Sequence, residues 1–161
     1  MEQLIPQHIF DQMLPRAAAW AQQQEQLVLA NNQSLVLIPD GQAVARRAGV
    51  MHPEAVRIIG VPEIPLPQEA DLREAAVAFA LITPRTEGLT IGHSIFIRQD
   101  CLQNPKLVAH ELKHVEQYER YGSILAFLKQ YLSEINKYGY PAAPLEQEAI
   151  AFAESVFPHD Q

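Results

Sequence analysis

In LVAHELKHVEQYERYG, Leu107 to Gly122, two histidines four residues apart enclose a glutamate. On a helix, His110 and His114 are offset by only ~40° and about one turn, so both imidazoles reach one ion at ~2.0 to 2.1 Å. Glu111 then projects beside the ion, where its carboxylate is placed to take a proton from an activated water. This is the H-E-x-x-H spacing. A chain with six histidines meets it by chance in roughly a few cases per hundred, so the surrounding elements must decide what it means.

Those elements mark a helix clearly. Asn104 suits the N-cap, Pro105 the first helical position and Gly122 the C-terminal stop. At ~100° per residue, Gln117, Lys113, Arg120, Glu116 and Ala109 gather on a polar arc. Leu107, Tyr118, Val115, Val108 and Leu112 gather on the opposite, buried one. His110 and His114 lie at the border, and Glu111 lies within the buried arc. A carboxylate there costs several kcal/mol if left unpaired, so a compensating partner is expected.

VAHELKH resembles the active-site helix of zincin metallopeptidases, and the resemblance runs from about Gly88 to Phe157. The metzincin branch requires glycine and histidine where this chain has Gln117 and Arg120. The gluzincin branch, small single-domain bacterial members included, takes its third ligand from a glutamate on a later helix. PLEQEAIAFAESVF resembles that helix, with Glu146 and Ala149 in the E-x-x-A spacing; Ile150 replaces the polar residue that often follows. The resemblance implies Zn²⁺ held by His110, His114 and Glu146, with Glu111 as general base for peptide hydrolysis. Periodicity weighs the two acids of this helix against each other. Glu146 shares an arc with Ile150, Ala153 and Phe157, whereas Glu148 lies with Ser155 and Ala151 on the polar side. Glu146 is the favoured ligand and Glu148 the competitor, since either also suits a helix N-terminus electrostatically. A different class stays open: the same ligands serving a zinc-stabilised interaction module with little or no turnover.

Further candidates surround this core. In NKYGYPAAP, Tyr138 or Tyr140 is placed to donate a hydrogen bond to a developing oxyanion, although packing is the commoner use of a tyrosine. TIGHSIFIR alternates so that Ile91, His93, Ile95 and Ile97 share one face of a strand. By resemblance to zincins, such a strand receives an extended peptide substrate along its edge. His93 reads as a satisfied interior histidine rather than a ligand, and His8, His52 and His159 as surface residues. Cys101, just before the helix, is either an inhibitory metal ligand or, more commonly, a buried idle thiol.

The remaining pattern sets the fold class. Residues 6–30 read as helical with a break at Pro15 and a solvated glutamine turn at Gln22 to Gln24. A short helix follows over 41–50, a buried strand over 55–61, a proline-punctuated connector at EIPLPQ, a helix over 69–80, then a turn and a strand over 85–100. An amphipathic helix over 123–135 precedes the last one. This order predicts an α+β, zincin-like single domain over 1–161, with a small, mostly antiparallel sheet and three C-terminal helices. Residues 1–68 form its N-terminal part and 69–161 the core with the metal site. With 48% hydrophobic and 19% charged residues, 161 residues suffice for one sizeable core. A net charge of −7 argues against a nucleic-acid partner. One cysteine, no signal-peptide pattern and no membrane-span pattern point to a cytoplasmic protein.

Overall fold

In the computed structural model, which describes residues 3–158, six helices surround a three-stranded sheet, an α+β architecture. Helices α1 (Gln7–Ala30) and α2 (Pro39–Ala48) lead into β1 (Arg57–Val61). After α3 (Ala70–Ala78) come β2 (Gly88–Ile91) and β3 (Ser94–Arg98), and then α4 (Pro105–Tyr121), α5 (Ile124–Tyr138) and α6 (Pro144–Val156). No helix among the described residues is long and apolar enough to cross a membrane.

The sheet has the order β1-β3-β2, with β1 parallel and β2 antiparallel to β3. It is therefore mixed rather than mostly antiparallel. The chain leaves β1 at one edge, passes through α3, enters β2 at the other edge and folds back into the centre as β3. TIGHSIFIR is consequently a hairpin and not one strand. Gly92, at φ 61°, reverses the chain with His93 in a two-residue loop, because glycine takes that conformation without a Cβ clash. The expected common face of Ile91, Ile95 and Ile97 is lost with it. Ile95 and Ile97 pack with Leu112 and Val115 of α4 and Ala45 of α2, whereas Ile91 and Phe96 pack on the other side with Ala21 and Val28 of α1. As an edge strand, β1 is half-buried rather than buried.

Helix α4 lies at the centre, against β2, α2, α5 and α6. Its start is fixed by Asn104, whose Oδ1 accepts from the Leu107 N–H at 3.2 Å, and its end by Gly122 at φ 90°. The arc read as polar is partly covered, because α6 packs there and buries Ala109 and Gln117 completely. Ser123 caps α5 through the Ala126 N–H. Pro15 does not break α1. It stands on the exposed side, while Phe10, Ala18, Ala21 and Val28 continue one buried stripe past it. Packing along that stripe outweighs the local penalty of a proline. Gln22 and Gln23 are exposed on the same continuous helix.

That penalty gives a first prediction. Pro15→Ala restores a backbone donor at an exposed position and should raise the unfolding free energy by about 1 to 3 kcal/mol, read as a higher urea midpoint. An unchanged or lower midpoint would show that α1 tolerates the ring without strain.

Candidate metal centre

Helix α4 presents His110 and His114 side by side, and α6 brings Glu146 against them from its first turn. One donor atom from each of the three lies within 4.8 Å of the others, a group that could hold a metal ion. Glu146 Oε1 is 3.1 Å from His114 Nε2 and Oε2 is 2.7 Å from His110 Nε2. Glu146 is only 2% exposed, yet its Oε2 has no well-directed hydrogen-bond partner among the described residues. A buried carboxylate oxygen beside an imidazole nitrogen, without a hydrogen bond along the line between them, suits two lone pairs aimed at a shared cation. Two imidazoles and one carboxylate are a donor set that zinc accepts.

Further contacts hold these three side chains in place. Gln117, fully buried, sets its Oε1 2.8 Å from His114 Nδ1, while its Nε2 donates to Leu145 O and to Glu148 Oε1. The Tyr131 hydroxyl of α5 donates to Glu146 Oε1 at 2.8 Å. The Leu145 N–H at the start of α6 donates to buried Glu134. Such partners fix ring orientation and ligand basicity. Glu148 thus stands one step from the cluster, accepting from Gln117 and Arg120.

Glu111 is 5% exposed and receives the Thr90 hydroxyl on Oε1 at 2.7 Å. Thr90 is the compensating partner that burial requires. Opposite the other oxygen lies Gly88, where an added Cβ would stand 3.1 Å from Oε2. All four residues, His110, Glu111, His114 and Glu146, line one cavity of about 870 Å³. Tyr140 lines it too, with its phenol pushed up by burial and by the carboxylates of Glu146 and Glu111. Tyr138 is exposed beside Lys137 and does not line the cavity.

The other candidates lie elsewhere. His93 pairs with Glu119 at 2.8 Å, and the Cys101 thiol meets Glu87 at 3.1 Å, its pKa pushed up to about 11 chiefly by burial. His8 and His52 are exposed, and His159 lies outside the described residues. Thr90, Tyr131 and Glu134 were not singled out by sequence. Thr90 and Tyr131 sit in segments whose periodicity reads as packing, and only the tertiary fold aims them at the site.

Burial alone would lower the His114 pKa, but Glu146, then Glu111 and Gln117, raise it to about 9. Burial alone would raise the Glu146 carboxyl, which His110 and His114 instead hold far below the usual carboxylate range. Without a cation, that balance favours a protonated His114 at neutral pH. No protein-family model matches this chain, and neither a curated protein nor a solved structure matches it.

Zinc must displace the His114 proton, so uptake at pH 7 should release about one proton per site, and apparent affinity should rise about tenfold per pH unit from pH 7 until it levels near pH 9. Calorimetry in buffers of different ionisation enthalpy reads this directly. Zero release would mean that His114 is neutral before binding. Glu146→Ala should weaken zinc binding by orders of magnitude, Gln117→Ala by about 10 to 100-fold and Glu148→Ala by less, in competition with a chelator. A larger effect at Glu148 than at Glu146 would exchange their roles.

Proposed function

We propose that the chain is a zinc-dependent peptidase of the gluzincin type within the zincin-like group, with Zn²⁺ held by His110, His114 and Glu146. The observation that carries this reading is a carboxylate, Glu111, which is not among the three clustered ligands yet shares their cavity. When bound, Zn²⁺ supplies Lewis acidity, which makes a nucleophilic water available near neutral pH and polarises a carbonyl.

The chain's own groups do the rest. Glu111, oriented by Thr90, removes a proton from the water and delivers it to the leaving amine. Tyr140 has its phenol protonated at neutral pH and turned toward the cavity, a donor for the oxyanion that forms on the scissile carbonyl. Substrate backbone finds partners on β2. All four of its residues pair with β3, and Glu87 O accepts from the Arg98 N–H. By the alternation of an antiparallel ladder, Leu89 and Ile91 are then the hydrogen-bonded positions, and the backbone groups of Gly88 and Thr90 point away from β3, to the edge that no strand pairs with among the described residues. An extended peptide adding to that edge would run along the cavity wall. The edge is β2 and not SIFIR, because β3 is paired on both sides.

Glu111→Gln tests the proposal. Zinc content and melting temperature should stay near wild type, while cleavage of a denatured protein or peptide library falls by about 10² to 10⁴-fold. A mutant as fast as wild type would refute the role of Glu111. A zinc-loaded wild type that cleaves nothing would instead assign the centre to fold stability or partner binding.

A further inference from the structure

The cavity extends well beyond the three clustered residues, and the elements that line it differ in chemistry. The approach to β2, the start of α4 and the end of α6 contribute charged and polar groups, among them Arg85, Glu87, Asn104 and Glu154. Toward α1, α3 and α5 the lining is apolar: Phe10, Met13 and Leu14 from α1, Leu72 from α3 with Phe79 at its C-terminal cap, and Leu132 from α5. Small residues on two of these helices, Ala17 on α1 and Ala75 on α3, are half-buried and keep the space open. At about 870 Å³ the whole cavity approaches the upper end of the ~300 to 1,000 Å³ range of small-molecule sites, which is more than one side chain needs.

We infer that this apolar part is a specificity chamber for peptides carrying consecutive bulky apolar residues on one side of the scissile bond. The inference rests on the proposed peptidase reading for the position of that bond. A peptide suits the site better than an acyl chain, because the cavity includes β2, whose outer edge pairs with no strand among the described residues and is partly exposed at Gly88, and an acyl chain has no backbone groups to match there. Runs of large apolar residues are buried in folded proteins, so the chamber selects unfolded chains or exposed apolar tails. A folded, polar surface offers it nothing to bury.

Trp20 lines the same cavity and is the only tryptophan of the chain, so its fluorescence reports occupancy. The experiment uses zinc-loaded Glu111→Gln protein and two peptides of equal length, one with a Leu-Phe-Leu run and one with Ser-Gly-Ser in its place. The apolar peptide should shift Trp20 emission and bind at least about tenfold more tightly. Ala17→Phe and Ala75→Phe, on separate helices, should each remove that preference while leaving the melting temperature near wild type. Equal binding of the two peptides, or an unmoved Trp20 signal, overturns the chamber. So does dodecanoate shifting the signal where the apolar peptide does not. Because binding is read without turnover, a protein that hydrolyses nothing can still pass this test, and an active peptidase can fail it.

Discussion

The carboxylate of Glu146, buried between two helices, is the constraint around which the rest is arranged. Taking an ionised carboxylate out of water costs several kcal/mol unless other groups replace its hydration. Here His110 and His114 face it from α4 and Tyr131 donates to it from α5. Each of these contacts ties α6 to another element. The helix start is held again by Leu145, whose N–H reaches Glu134 and whose carbonyl accepts from Gln117. Moving α6 by a fraction of a turn would break this set together, so the candidate ion site and the packing of the last three helices are one arrangement.

Much of the site was legible because its signals are local. The i, i+4 histidines, the Asn104 cap and Gly122 lie within one helix, and the arc argument separated Glu146 from Glu148 within another. Tertiary contacts supplied what the sequence pattern lacked. Thr90 is one hydroxyl in a short strand, and nothing near it in sequence indicates that its partner is Glu111, 21 residues away. Gln117 looked polar and solvated until α6 covered it.

The misreadings have the same origin. Period-2 alternation continued across Gly92 and His93, so the two arms of a hairpin resembled a single strand. Only the turn reveals that Ile91 and Ile95 face opposite ways. The mixed sheet arises because α3 carries the chain from one edge to the other, and no local pattern encodes that crossing. Pro15 was overruled by a buried stripe running the length of α1. In each case a local preference worth a few kcal/mol yielded to packing summed over a whole element.

Stability alone gives a poor account of Glu111. The Thr90 hydroxyl also lies 3.1 Å from the Glu111 backbone carbonyl, so it would have an acceptor even if the side chain at 111 were apolar. A leucine or alanine there would extend the Leu112 and Val115 face of α4 without any desolvation penalty. Gly88 makes the same point from the other side, since a Cβ on β2 would crowd Oε2 and its absence keeps room for the carboxylate. Two positions on a neighbouring strand thus accommodate a carboxyl group that the core has no need of. That cost, borne beside three residues that could hold a metal ion and in the wall of the same cavity, is what the proposed role of Glu111 as general base would account for.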